Sequence, residues 1–212
     1  MSQLSSIQME ALAALFHRGA VQATDALSTW LGRHVTVKVD QVEQLPFEES
    51  TESLGPAEAT LCACAMGVTG GIRGQILFCF DDASGLSLCD LLLGREHVSV
   101  EWGELEQSSA METANIVGCA YLNSLASAFP VTNLDSMAST TGSESVWVPT
   151  PPLFVRDFAA SIMEFAVMNQ ATEYDTVLVA QTKFQIDGRP FDWSLLLIPD
   201  SQSLDMMKEA LG

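Results

Sequence analysis

Hydrophobic and polar positions change period several times along this chain, and each change predicts an element. From 105 to 125, Met111, Ala114, Gly118, Tyr121, Leu122 and Leu125 recur at i, i+3, i+7, i+10, i+11 and i+14, which marks one face of a helix turned to a core. The opposite face is polar, and Ser108, Glu112 and Asn115 line up on it along about two turns. Residues 5–31 carry Ile7, Leu12, Leu15, Ala23, Ala26, Leu27 and Trp30 at near-helical spacing and stop at Gly32, predicting a long first helix. His34 to Val42 alternates like a half-buried strand, and the stretch from Pro46 to Pro56 reads as a polar connection. Residues 59–68 and 72–80 predict a hairpin around Thr69-Gly70-Gly71. Asp81 or Asp82 can cap the helix that follows, which ends at Leu93-Gly94.

Beyond the 105–125 helix, Ala126 to Pro149 is rich in Ser, Thr and Gly and predicts at most a weak strand. Leu153 to Met168 is expected as a helix, because Pro151-Pro152 fits a first turn. Asp175–Ile186 and Phe191–Ile198 form a second expected hairpin turned at Asp187-Gly188, and Asp200 to Leu211 a closing helix. The order helix, strand, hairpin, helix thus occurs twice in a single domain, over about 1–97 and about 98–212. Leu77-Phe78-Cys79-Phe80-Asp81-Asp82 onward to Gly94 matches Leu195-Leu196-Leu197-Ile198-Pro199-Asp200 onward to Gly212 without a gap. The expected fold is α+β: an antiparallel sheet with long helices packed on it and a pseudo-twofold repeat. Placing Leu27 on Leu125 sets Ala14 against Glu112 and His17 against Asn115. Packing needs both halves alike, whereas chemistry can be kept in one, so this asymmetry makes Glu112 and Asn115 the candidate site.

Composition narrows the partners. With 212 residues and 48% hydrophobic content the chain can bury a sizeable core. A formal charge of −18, from 27 acidic and 9 basic residues, repels nucleic acid and anionic membranes and leaves a protein or cation-bearing partner. The five cysteines lie in apolar runs without a C-x-x-C pair, as reduced core residues do. No stretch reads as a secretory signal or reaches the ~20 apolar residues of a membrane span, so a cytoplasmic location is expected. His17 reads as a surface histidine, Cys62-x-Cys64 as two thiols on one sheet face, Gly67 to Gly74 as a tight turn and Asn123 as helix-end hydrogen bonding. No metal-ligand spacing is found.

Ser108-x3-Glu112-x2-Asn115 resembles the [Asp/Ser]-x3-Glu-x2-Asn motif of the CheC, CheX and FliY phosphatases of bacterial chemotaxis. The longer match is to CheC: Glu112-Thr-Ala-Asn-Ile-Val-Gly-Cys-Ala-Tyr-Leu-Asn-Ser-Leu125, Pro149-Thr-Pro-Pro152 and the segment from Leu197-Ile-Pro-Asp200 to Gly212 are similar to its helix, proline cluster and end. The resemblance implies hydrolysis of the aspartyl phosphate of a CheY-type response regulator. Asn115 would orient the attacking water, Glu112 would pair with the regulator's lysine, and Ser108 would support the motif. Mg²⁺ would come with the phosphorylated partner, and this chain would need no cofactor of its own. The deamidase CheD is implied as a further partner, through the region near 153–168. Two departures stand out: Ala14 and His17 replace the second Glu-x-x-Asn of the first helix, and the segment of about 131–148, including Thr140 to Ser145, looks inserted. A non-catalytic regulator-binding module or flagellar-switch scaffold is the alternative.

Overall fold

The alternating stretches assemble into one seven-stranded antiparallel sheet. The computed structural model describes residues 3–96, 99–129, 147–168 and 176–212. Its strands are β1 (Val35–Pro46), β2 (Thr60–Thr69), β3 (Gly74–Phe80), β4 (Val148–Pro149), β5 (Leu153–Phe158), β6 (Thr176–Ile186) and β7 (Arg189–Pro199). The helices are α1 (Ser6–Leu31), α2 (Phe47–Ser53), α3 (Asp82–Leu92), α4 (Glu104–Ala126), α5 (Ala159–Met168) and α6 (Ser201–Leu211). The sheet order is β1-β6-β7-β3-β2-β4, with β5 also pairing β2. The long strand ahead of the hairpin in each half therefore pairs with the hairpin of the other half, β1 with β6 and β5 with β2, around the central β3–β7 pair.

Alternation along the strands sends side chains to two separate cores. Cys62, Cys64, Met66, Ile76, Phe78, Trp193 and Leu195 face α1 and α4. Leu61, Ala63, Leu77, Cys79, Leu196 and Ile198 face α5, with Phe47 and Leu54 at its margin. Local signals end the elements as expected. Ser5 caps α1 in a capping box with Gln8, and Gly32 closes it in the left-handed region at φ 61°. Asp187 at φ 48° and Gly188 at φ 81° make the β6–β7 connection a turn with both central residues at positive φ, the type whose twist suits a two-residue hairpin.

Several expectations change. Leu153 to Phe158 is a strand, not the start of a helix, and only Ala159–Met168 is helical. Pro151-Pro152 leads an extended Leu-Phe-Val-Arg-Asp-Phe run into pairing with β2, so the prolines precede a strand. The polar connection contains α2, held by the Ser50 hydroxyl donating to the Phe47 carbonyl at 2.6 Å. These two findings make the halves more alike: each runs long helix, strand, short helix, hairpin, helix.

The ungapped match between the halves is also displaced by one residue, since Leu77 and Leu195 face different cores. Moving it by one sets Leu77 on Leu196 and Asp81 on Asp200. Each of those aspartates caps its helix, accepting from Ser84 N at 2.6 Å and Ser203 N at 2.7 Å. Most of the proposed insertion, including Thr140 to Ser145, lies outside the described residues. Trp147, near its end, is buried and stacks on Phe129 at 5.5 Å, and Val148–Pro149 supplies the short strand.

Candidate functional site

The polar row of α4 is what remains after three sides of the helix are covered. α1 packs along one flank, with Phe16 and Tyr121 rings 5.7 Å apart. α3 lies on another side, and the sheet lies beneath, where Gly118 sits over Met66 and Phe78. Covered positions therefore include Ala110, Thr113, Val117, Ala120 and Ser124 as well as the expected apolar ones, while Met111 is only half-buried. Ser108 and Glu112 are exposed and Asn115 is half-buried, all on one narrow ridge. In the pairing that sets Leu27 on Leu125, the buried residues of α1 (Leu12, Leu15, Phe16, Gly19, Ala20, Ala23 and Leu27) all fall on buried positions of α4. The corresponding ridge of α1 exposes Glu10, Ala14 and His17.

Both ends of α4 are anchored. At its start, Glu106 accepts from Arg95 Nη1 at 2.8 Å, and the Ser99 hydroxyl is shared between Glu106 Oε1 at 3.2 Å and Asp90 Oδ1 at 2.5 Å. Its own backbone N–H, Ser99 and Arg95 hold the Glu106 carboxyl below the usual carboxylate range, against the effect of burial. Gln107 Nε2 donates to the Trp102 carbonyl at 3.1 Å. The Trp102 indole donates in turn to Asp82 Oδ1 at 2.8 Å, and Asp82 takes a bidentate contact from Arg156 at 2.9 and 2.6 Å. That guanidinium holds the Asp82 carboxyl far below its ordinary range. At the far end, Arg18 of α1 donates to the Ser124 hydroxyl at 3.0 Å and the Ser124 carbonyl at 2.7 Å, and also reaches the Ser127 hydroxyl.

The ridge itself is unengaged. Neither the Ser108 hydroxyl nor the Glu112 carboxylate makes a hydrogen bond or ion pair with a described residue. The Asn115 side-chain oxygen has one weak contact, the Cys119 thiol at 3.8 Å. Burial, with the Glu112 charge beside it, pushes that thiol's pKa up, so it is a poor nucleophile. A carboxylate and a neutral carboxamide three residues apart, about 4.5 Å along the axis, can grip a cation and hold a water.

Sequence reasoning overlooked two apolar neighbours: Leu105, 57% exposed at the start of the ridge, and Val100, 90% exposed just before it. Their signal was available in the helical spacing of Leu105 from Ser108 and Glu112. Asn123 is exposed, and its amide engages no described side chain, in place of the expected helix-end bonding; only its carbonyl accepts, from Ser127 N at 3.2 Å. Among the described residues no group of three or more His, Cys, Asp or Glu is placed to hold a metal ion. A cleft of about 340 Å³, lined by residues including Leu61, Cys79, Asp81, Lys183 and Asp192, involves no residue of α4. No described helix is long and apolar enough to cross a membrane.

No family model matches the sequence. Solved structures do match its fold. Thermotoga maritima FliY is similar over 99% of this chain and 98% of its own, with a TM-score of 0.76 at 15% identity. The FliM middle domain of H. pylori is similar over 98% and 99%, with a TM-score of 0.68 at 13% identity. A chain of the CheX–CheY–BeF3–Mg²⁺ complex from Borrelia burgdorferi is similar over 89% and 97%, with a TM-score of 0.51 at 14% identity. The chain has the α+β fold shared by FliY, the FliM middle domain and CheX.

Proposed function

We propose that this chain hydrolyses the aspartyl phosphate of a CheY-type response regulator, using the α4 ridge as its one working site. The observation that carries the reading is the pair Glu112 and Asn115, on a ridge anchored at both ends, neither spent on internal ion pairs or strong hydrogen bonds, and present in only one of two otherwise matching helices. An acyl phosphate is intrinsically labile, so catalysis needs a positioned water rather than a strong base. The Asn115 carboxamide supplies a donor and an acceptor for that water. Glu112 sets the docking register through a charge-assisted contact with the regulator's lysine. Mg²⁺ belongs to the phosphorylated partner in this scheme. The crystallised CheX–CheY–BeF3–Mg²⁺ complex, whose fold this chain shares, supports a CheY-type partner.

The FliM middle domain has the same fold, so the fold by itself does not select hydrolysis. A docking module without turnover is the second reading. The test mixes the purified chain with a phosphorylated receiver domain from the same cell and follows loss of phosphate. Asn115→Ala is expected to return the rate to the receiver's own decay. Glu112→Ala is expected to raise the half-saturating receiver concentration more than it lowers turnover. Wild type that never exceeds spontaneous decay points to the docking module. Full activity in Asn115→Ala refutes the site.

A further inference from the structure

The α1 ridge repeats the geometry of the α4 ridge with different chemistry. Every buried position of α1 falls on a buried position of α4, so the side chain at 17 stands where the side chain at 115 stands in the other half. Both ridges also begin with an exposed aliphatic residue at the matching position, Ile7 at 75% exposure and Leu105 at 57%. Docking of one partner type on both ridges would use that matched pair. At the reactive position the carboxamide is replaced by the imidazole of His17. That ring is exposed and engages no described residue. One turn earlier the short, exposed side chain of Ala14 stands where Glu112 stands on the other ridge.

We propose that His17 is a phosphoryl acceptor, taking the phosphoryl group of a phosphorylated receiver domain that docks on the α1 ridge. The proposal rests on the reading of α4 as a receiver-docking ridge. An unprotonated imidazole nitrogen offers a lone pair that an amide lacks. In the step, that lone pair attacks phosphorus in line. The bond between phosphorus and the aspartyl oxygen breaks, its electron pair returns to the receiver's carboxylate, and the proton on the other ring nitrogen is free to pass to solvent. The products are an N-phosphoimidazole on His17 and an unmodified receiver, with the receiver's own Mg²⁺ screening the transferred charge. One ridge would thus discharge the phosphoryl group to water and the other would store it.

The experiment uses the full chain and a CheY-type receiver labelled with acetyl [³²P]phosphate and freed of the small donor. Asn115→Ala keeps label from being lost to water at α4, and the Asn115→Ala, His17→Gln double variant is its control. The expected result is label on the chain that survives alkali and is released by acid, as phosphohistidine is, and that disappears in the double variant. If wild type hydrolyses the receiver's phosphate but no alkali-stable label reaches the Asn115→Ala chain, His17 is not an acceptor and the phosphatase reading stands. Label that persists after His17→Gln refutes the assignment. Label at His17 without accelerated hydrolysis by wild type upholds the acceptor and overturns the phosphatase. Neither label nor hydrolysis overturns both.

Discussion

The distance between the two ridges is set where α1 crosses α4, and a single added methyl there should be felt. At Gly19 an added Cβ would lie 2.6 Å from Tyr121 Cδ1 and 3.0 Å from Tyr121 Cα. A ring edge can tilt, but the Cα is backbone of the facing helix, so the helices must separate by a few tenths of an ångström. That separation loosens the Phe16–Tyr121 contact along the whole seam. Replacing a mid-helix glycine by alanine gains up to about 1 kcal/mol of backbone entropy. Overpacking a tight core costs about 1–3 kcal/mol, and a backbone-limited clash belongs at the upper end. Gly19→Ala should therefore lose roughly 1–2 kcal/mol net, which in urea moves the midpoint down by about 0.5–1 M.

Gly118 is the internal control. An added Cβ there would meet Met66 Cε at 2.2 Å, the far end of a flexible side chain, and Phe78 at an ordinary 3.4 Å. Met66 can swing aside, so gain and cost nearly cancel, and Gly118→Ala should stay within about 0.5 kcal/mol of wild type. Urea unfolding followed by far-ultraviolet circular dichroism compares the three proteins. If Gly19→Ala is as stable as wild type, or less damaging than Gly118→Ala, the α1–α4 seam is not the tight contact described.

Asp82 and Glu106 both have depressed carboxyl pKa values, so their contributions are fully present above the unfolded carboxylate range near pH 4 and are lost as pH falls through the lower folded values. Asp82→Asn should lower stability at pH 7 and flatten its decline below pH 4, read from midpoints across pH; an unchanged acid limb would count against the Arg156 contact. Burial pushes the thiols of Cys79 and Cys89 up to about 12, and those of Cys62 and Cys64 higher still, so native protein should react with a thiol reagent first at Cys119, the half-exposed one. Peptide mapping that found a β2 cysteine modified first would contradict the buried core. Leu105→Lys should weaken receiver docking several-fold in a binding titration while leaving the unfolding midpoint unchanged, because the side chain already faces solvent. A fall in stability would mean that Leu105 packs internally.

The elements whose identity depends on local chemistry were legible in the sequence. Gly32 stops α1 because it tolerates a positive φ, and the Asp187-Gly188 turn announces its hairpin for the same reason. The ridge was legible too, since helical period alone places Ser108, Glu112 and Asn115 together. What failed depended on neighbours. Leu153 to Phe158 is strand because β2 presents an open edge to it, and nothing within the segment itself shows that edge. The match between the halves slipped by one residue because four leucine or isoleucine positions in a row, Leu195 to Ile198, look alike until the sheet assigns them to opposite faces. The clamp joining Arg156, Asp82 and Trp102 brings β5, α3 and the approach to α4 together from distant parts of the chain, and no spacing rule finds that.

The exchange of strands between halves explains how one ridge can diverge from its twin without loss of the fold. Because β1 completes the second hairpin and β5 the first, neither half has a finished sheet alone, and changes in the shared interior would be felt by both. The ridges stand outside that constraint. Positions 14, 17 and 112 are exposed, 115 is half-buried, and every buried position of α1 corresponds to a buried position of α4. Substitution there costs little stability, typically within about 0.5 kcal/mol, so packing does not dictate the residues found at those positions. On that argument the contrast between Glu112 with Asn115 and Ala14 with His17 is not set by the fold, as the two proposed tasks require.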